Sequence, residues 1–158
     1  MPSALHLSTQ QIGKLGELLV QYRLLLLGIE SAHLTTDAGI DLVAYSSPAS
    51  GAKTIQVKAN LKPKPGGGKG RAALDWWVPV SSPAELFAFA DVSTNRVWLL
   101  TKGELASHAQ QESNGRFHLY MYTDEDVKPR KNQVSFVSEF SPFLLEHRVS
   151  QLFAQNAA

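Results

Sequence analysis

Cysteine is absent from the 158 residues, which excludes a disulfide framework and any thiolate metal centre. The absence suits a reducing compartment, so the cytoplasm is the expected location. No apolar run approaches the roughly 20 residues that span a bilayer. Met1 to Leu7 lacks the charged start and apolar core of a signal peptide. No membrane partner is therefore expected. An excess of either charge is also missing, because 15 Lys and Arg stand against 14 Asp and Glu, a formal net charge of +1. Binding to a polyanion would have to come from a local patch rather than from the whole surface. The glycine run at Gly66 to Gly68 is not followed by the Gly-Lys-Ser/Thr of a phosphate-binding loop. Internal repeats are lacking too.

What is present is the composition of a folded protein, with 44% hydrophobic and 18% charged residues. The length suits one domain, residues 1–158, with its own core. Asp37 to Lys58 organises the chain. Asp37-Ala38-Gly39 is turn chemistry. Asp41 to Tyr45 is β-prone, and Ser46 to Ala52 breaks it with Ser, Pro and Gly. Thr54 to Asn60 alternates, with Thr54, Gln56, Lys58 and Asn60 on one face and Ile55, Val57 and Ala59 on the other. A short connection favours an antiparallel hairpin, which brings Asp41 near Gln56 and Lys58. A solvent-facing polar row would show the same alternation.

The first element reads as a helix, capped by Ser8 with Gln11 completing a capping box. Ile12, Leu15, Leu19, Tyr22 and Leu26 define its expected core face, and Gly28 its end. Gly13 and Gly16 each cost roughly 1 kcal/mol in a helix relative to alanine. Their presence predicts that another backbone comes close beside Glu17, on the flank of the core stripe. Ile29 to Thr36 is a short strand. Leu61 to Arg71 is a loop by its prolines and glycines. Lys62, Lys64, Lys69 and Arg71 make it suited to phosphates, or to solvation alone.

Further on, Leu74 to Val80 is expected as a peripheral strand because Pro79 cannot donate to a ladder. Trp76 and Trp77 then face opposite ways, one buried and the other packed or available to a base. Leu86 to Val92 and Arg96 to Thr101 form a strand pair with Trp98 in the core. Lys102 to Gln111 reads as a helix and Arg116 to Tyr122 as a strand. Asp124-Glu125-Asp126 is an acidic turn, a pattern that a metal cluster would share, and Lys128 to Lys131 a basic one. Phe143 to Phe153 reads as a terminal helix with two apolar strips.

The order helix, strand, strand, strand carries Gly16-Glu17-Leu18-Leu19-Val20, then Gly39-Ile40-Asp41-Leu42-Val43, then Ile55-Gln56-Val57-Lys58. In these residues the chain resembles the PD-(D/E)XK nuclease superfamily, in a Gln-x-Lys variant. Ile40 stands where the family has proline, and Gln56 where it has an acid. The resemblance implies an α/β restriction-endonuclease-like core, a mixed central sheet of about four to five strands flanked by helices. It implies a metal-dependent DNA endonuclease, with Glu17, Asp41, Gln56 and Lys58 as catalytic residues. Asp41, Glu17, Gln56 and the Val57 carbonyl would hold Mg²⁺, or Mn²⁺ in its place, and no small-molecule cofactor is implied. An amide at position 56 adds an oxygen but no charge. The alternative is a nucleic-acid-binding or assembly module on the same fold that does not cut. A nuclease with one site cuts one strand, so a homodimer is expected. The Leu145, Val149, Leu152 strip of the last helix would dock on the domain, leaving Phe143 and Leu144 to pair with a second copy or to pack within the chain.

Overall fold

The computed structural model describes residues 6–36, 38–47, 51–65, 70–126 and 136–153. Asp37, Lys69 and the 128–131 turn lie outside the described residues. Helix α1 (Thr9–Leu26) starts at the Ser8/Gln11 capping box. Strands β1 (Glu30–His33), β2 (Leu42–Tyr45) and β3 (Lys53–Asn60) follow. Next come β4 (Lys64–Pro65), β5 (Ala72–Pro79), β6 (Leu86–Asp91), β7 (Arg96–Thr101) and α2 (Lys102–His108). The order closes with β8 (Gln111–Ser113), β9 (Arg116–Tyr122) and α3 (Leu145–Leu152).

Two sheets result. One has five strands in the order β1-β2-β3-β6-β7, and the other four in the order β4-β5-β9-β8. The first is mixed, because β3 and β6 run parallel while its other pairs are antiparallel. A parallel pair needs a crossover, and the chain between β3 and β6 contributes β4 and β5 to the second sheet. Helices α1 and α3 flank one face of the five-stranded sheet, and α2 packs at the margin of the other through Leu105. The four-stranded sheet covers that other face, through Leu74, Trp76, Leu119 and Met121 against Phe87, Phe89, Trp98 and Leu100.

Strand β6 is buried along its whole length, which explains its unbroken apolar sequence. Its Ala88 and Ala90 face the α1 side, where Val20, Leu24, Ile55 and Val57 pack. Its Phe87 and Phe89 face the second sheet. Small residues thus line the helix side and large ones the sheet side. Gly16 belongs to this economy of volume: a Cβ built on it would stand 2.4 Å from Ala59 Cβ. The close approach expected beside Glu17 is made by Gly16 alone, since a Cβ on Gly13 would meet nothing within 4 Å.

Several elements differ from their sequence patterns. The buried stripe of α1 is Gly16, Val20 and Leu24, while Tyr22 and Leu26 are exposed. Counting apolar residues weights leucine over glycine, and it is the glycine that lets the helix descend onto β3. Within the presumed Leu61 to Arg71 loop, Lys64 and Pro65 form a two-residue strand. Strand β5 lies inside its sheet rather than at an edge, and Pro79 is its last residue. Strand β8 has no counterpart in the sequence reading. Its signal was the Asn114-Gly115 pair, both at positive φ, the standard chemistry of a two-residue hairpin turn.

The last helix starts two residues later than expected. A 3₁₀ segment, Val137–Phe143, precedes it, and Pro142 accounts for the irregular turn. Phe143 and Leu144 pack against the core cluster between the sheets, and the His108 and Phe143 rings meet edge-on at 4.9 Å. The strip set aside for a second copy is thereby used within the chain.

Candidate active site

Gly39, at φ +83°, turns the chain into β2. Its backbone demand explains the glycine, because a side chain there would be strained. Ile40 and Asp41 then run alongside β3 just ahead of the regular ladder, whose first pair is Leu42 with Ile55. The Asp41 N–H donates to the Ile55 carbonyl at 2.9 Å. Its carboxylate Oδ2 accepts the Val57 N–H at 2.6 Å. The carboxylate is therefore fixed by the strand that carries Gln56 and Lys58. A charge-assisted bond of this length is among the stronger kinds.

Asp41 and Glu17 line one cleft of about 410 Å³ with Gln10, Gly13, Lys14, Leu34, Thr35, Thr36 and Ile40. Two carboxylates from different elements, helix α1 and the entry to β2, converge there. Glu17 Oε2 is held by Lys14 Nζ at 3.1 Å and by His33 Nδ1 at 3.3 Å. Nε2 of His33 lies 2.8 Å from Gln21 Oε1, which fixes the ring. Lys14 and His33 are residues of the candidate site that the sequence reading missed. Lys14 could have been found, because it lies three residues before Glu17 on one helix face. His33 could not, since only the fold brings β1 beside α1.

Lys58 is half-buried and lines a neighbouring cleft of about 300 Å³ with Thr9, Gly13, Val57, Asn60 and Lys64. Gly13 borders both clefts. The acidic residues Glu17 and Asp41 thus line one cleft, and the basic residues Lys58 and Lys64 the adjoining one. Asn60 fixes this end of β3 to β5, its amide donating to the Asp75 carbonyl at 2.9 Å and its Oδ1 accepting the Asp75 N–H at 2.8 Å.

Gln56 is placed differently. The face of β3 that carries it is covered by the second sheet, so it is only 7% exposed. Its Oε1 accepts the Ser82 hydroxyl at 2.7 Å. Among the described residues no three His, Asp or Glu side chains gather closely enough to hold a metal. The donor set that is present, two carboxylates on one cleft, consists of hard oxygens. That chemistry fits a small divalent cation such as Mg²⁺ or Mn²⁺, which keeps several of its waters.

Of the basic loop, Lys62 and Lys64 are exposed, and Arg71 pairs with Asp124 at 3.2 Å. The acidic turn thus has a structural partner. Trp76 is buried against Phe89 and Trp98. Trp77 stacks on His118 at 4.0 Å, with Arg116 5.0 Å from its ring centre, so packing is the role the structure gives it. Among the described residues, no helix is long and apolar enough to cross a membrane.

No protein-family model matches the chain, and no curated protein matches it. Two solved structures are similar to it. One is the bacterial homing endonuclease I-Ssp6803I, at a TM-score of 0.51 and 18% identity, covering 78% of this chain and 85% of that one. The other is Hjc, a Holliday junction resolvase from the archaeal hyperthermophile Archaeoglobus fulgidus, at a TM-score of 0.51 and 16% identity, covering 90% of this chain and 98% of that one. At these identities the likeness is one of fold.

Proposed function

We propose, for a chain whose fold is the restriction-endonuclease-like PD-(D/E)XK fold, that it is a metal-dependent endonuclease hydrolysing DNA phosphodiester bonds as a single domain. The observation that carries the reading is the pairing of Glu17 and Asp41 on one cleft with Lys58 on the cleft beside it. That both structural neighbours are DNA-processing enzymes supports it.

Glu17 and Asp41 would hold Mg²⁺, or Mn²⁺ in its place, with the Val57 carbonyl and the Gln56 amide as further oxygens. A cation bound there would lower the pKa of a coordinated water and offset phosphate charge. The chain's own residues do the rest. Asp41 is oriented by the Val57 N–H. Lys58, on the neighbouring cleft, would orient the attacking water and stabilise the anionic transition state. Lys14, 3.1 Å from Glu17, offsets part of its charge. Lys62, Lys64, Lys69 and Arg71 would contact the phosphate backbone. Symmetric cleavage of a duplex requires two such sites, and a homodimer supplies them.

One observation favours a second reading. Gln56 is buried on Ser82 and adds no charge, which would suit a domain of this fold that binds nucleic acid without cutting it. A plasmid-nicking assay with Mg²⁺ or Mn²⁺ separates the two. Wild type should nick, whereas Asp41→Asn and Lys58→Ala should lose at least about a hundredfold in rate with unchanged circular dichroism. Wild-type activity in both variants would remove the catalytic assignment. DNA binding without nicking would establish the second reading.

A further inference from the structure

Helix α1 buries one face and, among the described residues, leaves a second apolar stripe exposed. Leu18, Tyr22, Leu25 and Leu26 are 48%, 60%, 57% and 63% exposed. Leu18, Tyr22 and Leu25 follow one another at i, i+4 and i+7, one stripe of a helix. No charged residue interrupts it. Lys14 and Glu17 are paired with each other, and Arg23 is drawn aside to Glu146 at 3.0 Å. Beside the stripe lies a groove of about 440 Å³ lined by Leu19, Tyr22, Arg23, Leu26, Leu27 and Asn95. Single exposed leucines are ordinary, but a contiguous stripe of this kind marks an interaction surface.

We infer that this stripe is the two-fold interface of the chain, α1 packing antiparallel on α1 of a second copy. The inference deepens the pairing proposed above by naming the surface that makes it. Three features favour a second copy as the occupant. A two-fold contact opposes each patch to itself, and an uncharged stripe meets itself without like-charge repulsion. In the antiparallel arrangement Leu18 faces Leu25 of the other copy, with Tyr22 close to the axis. The positive and negative ends of the two helix dipoles then lie side by side. The exposed stripe amounts to on the order of 500 Å² per copy, and the groove walls bring it toward the roughly 800 Å² per partner of a stable interface. A membrane surface would instead select a ring of basic residues around such a stripe, whereas the bordering cations Lys14 and Arg23 are each matched by a glutamate.

The cysteine-free sequence makes a direct test available. Helices in contact have axes about 8–10 Å apart, which puts Cα atoms at the two-fold roughly 4–6 Å apart, within disulfide reach. Tyr22→Cys under mild oxidation should therefore give a covalent dimer in high yield. Ser113→Cys, exposed on β8 of the other sheet, should not. Light scattering at micromolar concentration should report twice the 17.3 kDa chain mass for wild type. Leu18→Asp with Leu25→Asp should report the single-chain mass with unchanged circular dichroism. A wild-type monomer, whether or not it binds anionic vesicles, would overturn the inference. A dimer that survives the double substitution and yields no Tyr22 cross-link would overturn the surface while leaving the pairing intact. Nicking by a monomer would separate this failure from that of the nuclease reading.

Discussion

Gly16→Ala tests how the cleft is built. In an isolated helix the change is favourable by about 1 kcal/mol. Here the new methyl would lie 2.4 Å from Ala59 Cβ, with the Ala59 Cα and the Val57 side chain each at 3.6 Å. Carbon atoms in contact prefer about 3.5–4.0 Å, so α1 and β3 must separate by about 1 Å. The obstructing atom is a Cβ attached directly to a strand backbone, and no rotamer can move it. Overpacking of this kind costs about 1–3 kcal/mol, occasionally more, and the backbone contact favours the upper end. The net loss after the helical gain is about 1–2 kcal/mol. At about 2–4 °C per kcal/mol for a chain of this size, Tm falls by about 2–8 °C. Glu17 follows Gly16 directly, so the same displacement should draw it from Asp41 and lower the proposed nicking activity. Urea denaturation of wild type, Gly16→Ala, Ala59→Gly and the double variant gives the coupling. The double variant should be less destabilised than the sum of the single changes, because Ala59→Gly removes the colliding atom. Gly13→Ala, in open space, should match or exceed wild-type stability. A Gly16→Ala protein as stable as wild type would refute the close approach of α1 and β3.

Further outcomes are expected. Gln56→Glu should lower Tm in metal-free buffer, because a carboxylate is then buried beside Ser82 without a cation, and should tighten Mg²⁺ binding measured by calorimetry. An unchanged affinity would remove Gln56 from the metal shell. Neutralising Lys62, Lys64, Lys69 and Arg71 together should weaken DNA binding for all sequences alike and reduce the salt slope by about 0.9 per lost phosphate contact. An unchanged slope would return the segment to a linker. Arg148→Ala should destabilise by roughly 1.5–3 kcal/mol in urea denaturation, since it removes charge-assisted bonds from a partly buried carboxylate. Arg148 bonds both oxygens of Glu104, which completes the Thr101 capping box of α2, and donates to the Leu99 carbonyl. A change below about 0.5 kcal/mol would mean that the pair contributes no more than a surface one.

Local chemistry was enough to read the start of α1, the Gly39 turn, the alternation of β3 and the β6–β7 pair. Ser8 and Gln11 cap through neighbours three residues apart, and Asn95 at positive φ closes a tight turn. The hairpin register that joins Asp41 to β3 also follows from short-range pattern, because a buried face fixes strand pairing. The sequence could not reveal which face of α1 is buried. Leucines outnumber glycines on the wrong side, and only the facing Ala59 gives Gly16 its meaning. Nor could it show that Gln56, within the polar row of β3, is buried, since that depends on Ser82 folding back onto it. His33 beside Glu17, Ser82 beneath Gln56 and Phe143 folded into the core are likewise contacts between distant segments. Propensity and periodicity act over a few residues, and these contacts are made where whole sheets and helices stack.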